Sequence, residues 1–305
     1  MDGLLLVYKS EGPTSHDIIA RLRRILGLRK VGHFGSLDPF ASGLLLAGVG
    51  KAVRLFPFFS ASDKTYVGRI RLGAATDTYD RTGTLRPGTE TAPWPGAEAV
   101  RSAMDRLTGR ILQTVPPYSA KKHRGRPYYA YARRREEVER KTCRVEIRRF
   151  SLRAYDPPDL HFEVDCSAGT YVRSLAHDLG EALGGGAYLA ELVRTTVGPF
   201  LLTQAHSPAA LARLARDGRA AEAVIPVEHL LPELPRVDLT PEALERVADG
   251  RPVPAEAAGK EAGAPVRTAP PQASAVRLFG PDGRLAALAR LRPDGQTLAP
   301  FIVLV

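Results

Sequence analysis

The chain has 305 residues, 44% hydrophobic and 25% charged, a make-up that supports a folded core and excludes a disordered or low-complexity protein. A net charge of +10 favours a polyanionic partner, while only two cysteines, Cys143 and Cys166, exclude a disulfide framework or a multi-cysteine zinc site and fit a reducing cytoplasm. No apolar run approaches the roughly 20 residues of a membrane span, and the run at 4–8 follows Asp2 rather than a basic region, so neither a span nor a signal peptide is expected.

Residues 4–8 read as a buried strand. Ser15 reads as the N-cap of a helix whose apolar positions Ile18, Ile19, Leu22, Ile25 and Leu26 follow helical spacing, with Gly27 ending it. The stretch Gly32-His33-Phe34-Gly35-Ser36-Leu37-Asp38-Pro39-Phe40-Ala41-Ser42-Gly43 comes next. Pro39 biases Asp38 towards extended backbone, so this loop presents one acid in a fixed direction, with His33 upstream. Asp-Pro is equally a common turn pair, and Asp38 taken alone does not decide between turn former and catalyst.

Residues 43–50 read as an apolar strand and 51–59 as the start of a helix or turn. Residues 64–72 alternate, with Tyr66, Gly68, Ile70 and Leu72 on one face and Thr65, Val67, Arg69 and Arg71 on the other. Residues 76–83 form a polar loop. Its Asp77 and Asp80 lack a third ligand at matching spacing and read as turn residues, not metal ligands.

A connector at 87–96 leads to a short helix at 97–107. The paired Pro116 and Pro117 make 113–122 an extended basic loop, and Pro127 opens a helix over 127–139 that carries Tyr128, Tyr129, Tyr131, Arg133, Arg134 and Arg135. Residues 101–150 hold 15 Lys/Arg against 5 Asp/Glu, an excess equal to the net charge of the whole chain. Interleaved with Tyr118, Tyr128, Tyr129 and Tyr131, these cations suit phosphate contacts and base stacking, though solvated charge is the plain alternative.

Residues 144–152 and 160–166 read as strands, the second with Leu160, Phe162, Val164 and Cys166 facing one way. Ser167-Ala168-Gly169-Thr170 turns into a helix with Val172, Leu175, Ala176, Leu179 and Leu183 inward and Tyr171 and Arg173 in its first turn. An arginine is electrostatically misplaced at a helix N-terminus, and a carboxylate elsewhere in the chain would account for it. Residues 188–193 read as a helical turn, 194–202 as a strand and 207–217 as a small helix opened by Ser207-Pro208. Past residue 231 come a strand at 234–239, a helix at 241–249, an Ala/Pro/Gly-rich segment at 252–274 expected to be mobile, and strands at 275–279, 285–291 and 301–305. The expected class is α+β, divided into domains 1–231 and 232–305, the second small and mostly β. No Walker loop, dinucleotide fingerprint or zinc pattern is present, so a site without metal or cofactor is expected.

Gly32-His33, Gly35-Ser36-Leu37-Asp38-Pro39 and Ala41-Ser42-Gly43 together resemble the signature of the bacterial tRNA pseudouridine synthase B family. Further blocks resemble that family in the same order: Lys64-Thr65-Tyr66 with Leu72-Gly73 and Thr76-Asp77-Thr78; Gln113, Pro116, Ser119-Ala120-Lys121 and Gly125-Arg126; and Gly169 through Leu175 with Arg194-Thr195. The resemblance covers residues 3–205 and implies a mixed, largely antiparallel central sheet flanked by helices, with a small PUA-like RNA-binding domain in the tail. It also implies isomerisation of the T-loop uridine, position 55 of tRNA, to pseudouridine by base flipping, with no cofactor, by a cytoplasmic enzyme.

The resemblance makes Asp38 the catalytic aspartate, attacking the uracil ring or C1′, with Arg173 as its partner and Tyr66 packed on the target base. His33 and Tyr171 are implied to hold the flipped nucleotide, and Lys64, Lys121 and Arg126 to contact substrate. Lys9-Ser10-Glu11-Gly12, Phe34 and Ser36 depart from the family's usual residues without removing any of these groups. The expected partner is the T-arm stem-loop of tRNA, with no membrane and no small-molecule cofactor, and a monomer is the default. A non-catalytic RNA-binding module or tRNA-folding chaperone is the competing reading. An aspartate hydrolase ranks last, because no second carboxylate or metal motif accompanies Asp38.

Overall fold

Leu4, Leu5, Leu6 and Val7 point alternately to opposite faces of one strand, yet all are buried, because both faces of that strand are covered. The computed structural model describes residues 1–86, 93–119, 121–132, 134, 136, 138–257 and 275–305. The first sheet comprises β1 (Gly3–Lys9), β2 (Val31–His33), β3 (Ser42–Val49), β4 (Lys64–Leu72), β5 (Gly109–Thr114), β8 (Thr142–Asp156), β9 (Asp159–Cys166), β10 (Ala187–Val197), β11 (Phe200–Leu201) and β12 (Val224–Pro226). Its main path runs β12-β1-β3-β10-β4-β9-β8-β5, with β2 added on β3 and β11 on β10. Every pairing is antiparallel except β3 with β10. A separate hairpin pairs β6 (Lys122–His123) with β7 (Arg126–Pro127).

Helices cover this sheet in two groups. Helix α1 (Ser15–Leu26) packs Ile18, Ile19 and Leu22 against Leu5, Val7, Leu45 and Ala47, beside Leu211 of α6 (Pro208–Arg216). Helices α3 (Ala97–Arg106) and α5 (Val172–Ala182) pack Val100, Met104, Leu175 and Leu179 onto the Ile70, Phe150, Leu160 and Phe162 face of β4, β8 and β9. Two short helices, α2 (Phe56–Ser60) and α4 (Tyr128–Ala132), lie in the connections. A second sheet, ordered β13-β15-β16-β17-β14, consists of β13 (Arg236–Asp238), β14 (Val253–Pro254), β15 (Ala275–Phe279), β16 (Leu285–Leu291) and β17 (Thr297–Val303), with α7 (Pro241–Ala248) beside it. Phe279, Leu285, Leu288 and Leu304 share one apolar cluster with Leu4, Leu6, Leu44 and Leu46, and so cover the face of β1 and β3 that α1 leaves open. The expected α+β class with a largely antiparallel mixed sheet is what the chain forms.

Local readings differ in several places, and residues 253–254, at the start of the segment expected to be mobile, are strand β14 paired with β17. Thr14, not Ser15, caps α1: its hydroxyl accepts from Asp17 N at 3.1 Å while Asp17 Oδ2 accepts from Thr14 N at 2.9 Å, a reciprocal capping box. Residues 188–193 are strand, not a helical turn. They pair with β4 through register shifts near Leu189/Glu191 and Arg194/Thr196, and these bulges break the period-two pattern that would have marked a strand. Residues 126–127 belong to the small hairpin, so the helix opened by Pro127 is only Tyr128–Ala132. The last strand begins at Thr297, ahead of the expected residue 301. Residues 87–92 of the expected connector, Arg133 and Arg135, and residues 258–274 of the expected mobile segment lie outside the described residues. Among the described residues no helix is long and apolar enough to cross a membrane.

Candidate active site

The loop between β2 and β3 is held from several sides. Lys9, at the end of β1 and fully buried, donates from Nζ to the carbonyls of Asp38 (3.0 Å), Pro39 (3.3 Å) and Ala41 (2.6 Å). Ser15 Oγ accepts from Leu37 N at 2.9 Å and donates to Leu37 O at 3.2 Å, so the residue expected as a cap serves the loop instead. Arg194 of β10, 1% exposed, donates to the carbonyls of Leu44 (2.7 Å), Ser36 (3.3 Å) and Gly35 (3.2 Å). Gly43 lets β3 approach this arginine's backbone: its φ is +114°, and a Cβ there would stand 2.3 Å from Arg194 O. Phe34, at the loop's start, points away from the acid into the apolar cluster and stacks on Phe59 with ring centroids 5.5 Å apart.

Asp38 projects from this scaffold onto Arg173, near the start of α5. Arg173 donates from Nε to Asp38 Oδ2 at 2.8 Å and from Nη2 to Asp38 Oδ1 at 3.1 Å, a bidentate charge-assisted pair. Two further donors go to the carbonyls of Thr78 (3.0 Å) and Tyr118 (2.8 Å), so four acceptors on three residues fix the guanidinium. Asp80 Oδ2 lies 3.7 Å from Arg173 Nε, so two carboxylates share one buried cation. The Asp80 side chain is 5% exposed, whereas that of Asp38 is 38% exposed and keeps an open edge.

That open edge borders two spaces. One is a cavity of about 240 Å³ lined by Asp38, Lys64, Tyr66, Tyr171, Arg173 and Arg194, among others. The other is a groove of about 780 Å³ that carries His33, His16, Asp77, Tyr118 and Tyr129 along its walls. Asp38 and Arg173 line both. Burial raises the Tyr66 and Tyr171 phenols above their ordinary value, so both present un-ionised hydroxyls to the cavity at neutral pH. Burial, with Arg194 nearby, brings Lys64 down to about 8 although its Nζ donates to the carbonyls of Ser60 and Ser62. Burial first, then Arg194 and His16, lowers His33, whose Nδ1 has no hydrogen-bond partner among the described residues. Tyr171 is set in place by Gln113, which accepts from its N–H at 2.7 Å and donates to its carbonyl at 3.0 Å, and its hydroxyl meets Ser119 Oγ at 2.8 Å.

Asp38, Arg173, Tyr66, Tyr171 and Lys64 therefore meet around one cavity, and His33 stands in the adjoining groove. Lys121 and Arg126 line neither. Both sit on the β6–β7 hairpin, where Arg126 lies over the Tyr131 ring at 4.6 Å and pairs with Glu136 at 3.6 Å. The expected row of stacking tyrosines does not form either. Tyr128 and Tyr131 are buried, with hydroxyls bonded to the carbonyls of Glu139 and His123. Part of the basic excess is also spent internally, since Arg148 pairs with Asp63 and Arg149 with Asp165 across the sheet. Sequence reasoning left out Asp80, Lys9 and Gln113 as parts of the site. Thr78 and Thr82 flank Asp80, and both hydroxyls bond its carboxylate.

Two family models match the chain. The TruB family pseudouridylate synthase N-terminal domain matches residues 23–172, and the tRNA pseudouridylate synthase B C-terminal domain matches residues 173–232. The chain is similar to tRNA pseudouridine synthase B of Nitratidesulfovibrio vulgaris, 45% identical over 255 residues that cover 83% of this chain and 82% of the relative. It is also similar to tRNA pseudouridine synthase B of Geobacillus thermodenitrificans, 41% identical over 288 residues, or 92% and 94% of the two chains. Among solved structures it superposes on a chain of an H/ACA ribonucleoprotein bound to a substrate RNA containing 2′-deoxyuridine. That match has a TM-score of 0.72 and 25% identity, covering 99% of this chain and 85% of the other. A chain of a Cbf5-Nop10-Gar1 complex matches with a TM-score of 0.73 and the same identity and coverage.

Proposed function

The chain belongs to the TruB family of pseudouridylate synthases, and from that membership we propose that it isomerises the T-loop uridine of tRNA to pseudouridine at the cavity beside Asp38. The reaction breaks C1′–N1 and forms C1′–C5. The C5 proton leaves and N1 gains one, so no electrons enter or leave. The observation that carries this reading is the Asp38–Arg173 pair, with one edge of the acid open to the cavity.

A stacked uridine is out of reach, so the nucleotide must be everted at a cost of a few kcal/mol. Stacking on the buried ring of Tyr66 offsets that at about 1–3 kcal/mol per base. Asp38 is the nucleophile, towards the ring or towards C1′, and Arg173 fixes its direction. Tyr171 and Lys64 wall the base, while His33 holds the nucleotide in the groove. Lys121 and Arg126, on the outlying hairpin, meet T-arm phosphates rather than the base. Residues 1–231 form the catalytic domain and 232–305 the PUA-like RNA-binding domain of a cytoplasmic monomer.

The test is Asp38→Asn, which keeps shape and removes the nucleophile. The expected result is unchanged binding of a T-arm stem-loop with pseudouridine formation lost, read by mass-shift-labelled sequencing. Substantial turnover by the purified variant overturns the role of Asp38. Wild-type protein that binds tRNA and leaves its uridines unchanged would favour the binding-only reading instead.

A further inference from the structure

Tyr79 has an unusual combination of features. It is buried, it is not glycine, and its φ is +65°, a backbone conformation that bulky residues rarely take and that the surroundings must enforce. The enforcing contacts are visible. Its ring lies face to face with His177 of α5, centroids 3.8 Å apart and planes within 9°. Its hydroxyl accepts from Arg140 Nη1 at 2.7 Å. Its carbonyl accepts from Leu189 N at 3.0 Å, and the next residue but one returns the bond, Arg81 N to Leu189 O at 3.0 Å. None of these atoms lines the cavity or the groove.

What Tyr79 holds are its two neighbours. Thr78 gives its carbonyl to Arg173 Nη1 at 3.0 Å, and Asp80 sets its carboxylate 3.7 Å from Arg173 Nε. His177 is one turn beyond Arg173 on the same helix. The Tyr79–His177 stack therefore locks loop 76–83 to the helix that carries the arginine, at the spacing that lets both neighbours reach it. Arg140 adds a second link, because it ends the segment that leaves the sheet at β5 and re-enters it at β8 with the basic β6–β7 hairpin between.

We propose, resting on the function argued above, that Tyr79 is a positioning residue for the Asp38–Arg173 pair, held in place by its stack on His177. Its loss removes no group that touches the nucleotide, but it lets Arg173 drift from its acceptors and with it the direction of Asp38.

The test uses the full-length protein and a T-arm stem-loop. Tyr79→Leu is expected to lower kcat about 10²-fold, the cost of a misplacement near 1 Å, with KM held within about twofold. Tyr79→Phe keeps the stack and loses only the Arg140 bond, and is expected to recover most of kcat. Amide hydrogen exchange supplies a readout that needs no turnover. The Arg81 and Leu189 amides should exchange faster in Tyr79→Leu while those of α5 stay protected. If Tyr79→Leu does not fold, His177→Leu removes the stack from the helix side and should give the same kcat and exchange pattern. Wild-type kcat with wild-type exchange in a folded variant overturns the proposal, as does a loss confined to KM. A wild-type protein without isomerase activity would defeat the function argued above, while the exchange arm would still decide this one.

Discussion

Arg173 and Asp38 stand 135 positions apart in the chain and meet through two hydrogen bonds, Nε to Oδ2 at 2.8 Å and Nη2 to Oδ1 at 3.1 Å. The geometry depends on a planar fork. Arg173→Lys keeps the charge but replaces the fork with a point donor on a flexible stem. We expect the chemical step, followed by single-turnover kinetics, to slow by about 10²–10³-fold while stem-loop affinity barely changes. The carbonyls of Thr78 and Tyr118 would also lose their donors, for about 1–3 kcal/mol of stability in a urea melt. Wild-type turnover by the lysine variant would show that the fork has no part in the reaction.

Gly43 and Gly169 separate two costs that are easily confused. Both have positive φ, +114° and +85°, but a Cβ at Gly43 meets Arg194 O at 2.3 Å while one at Gly169 meets nothing within 4 Å. Gly169→Ala should therefore cost only the backbone term, about 1–2 kcal/mol. Gly43→Ala adds overpacking against a backbone that cannot turn aside, for a total of about 3 kcal/mol or more. Denaturant titrations of the two variants measure the difference directly. Equal losses would mean that β3 and β10 can separate freely at this point.

Much of this architecture is legible in the residues because local and global preferences agree. The alternation over 160–166 and the helical spacing over α1 each match the face that is buried. Arg173 was legible as an arginine in want of a carboxylate, because a helix start repels cations. Asp80 was not, since a carboxylate among threonines in a loop looks like a turn until a buried guanidinium from α5 arrives beside it. The burial of Tyr128 and Tyr131 was equally hidden. It depends on where Glu139 and His123 place their carbonyls, which no periodicity records. Residues 188–193 misled for a third reason, as paired bulges disguised a central strand.

Asp178 gives a pH-dependent prediction. Burial, reinforced by Glu181 and opposed by Arg140, pushes its carboxyl up from 3.8 to about 6. The native state thus holds this proton more tightly than the unfolded chain does. The resulting stability is fully present below about pH 3.8 and is lost as pH rises through about 6. Above that range the ionised group is a burden to the fold. Asp178→Asn should then raise Tm at neutral and alkaline pH and leave it nearly unchanged in acid. Scanning calorimetry across the range checks the sign, and an identical shift at every pH would show that ionisation of Asp178 is not penalised.

The basic segment yields a prediction about salt. Lys121 and Arg124 are exposed on the β6–β7 hairpin, whereas Arg126 is held over Tyr131 and paired with Glu136. Binding of an RNA stem-loop releases counterions for each phosphate neutralised, so log K falls linearly with log salt. Each phosphate contact removed should reduce that slope by about one. The double variant Lys121→Gln, Arg124→Gln should therefore flatten the plot by about two, with binding at high salt little altered. Arg126→Gln alone should change it less, because its guanidinium must leave an aromatic face and a carboxylate before it can meet a phosphate. Filter binding or fluorescence anisotropy over a salt series measures both slopes. A double variant with the wild-type slope would mean that the hairpin carries solvated charge and that the RNA backbone lies elsewhere.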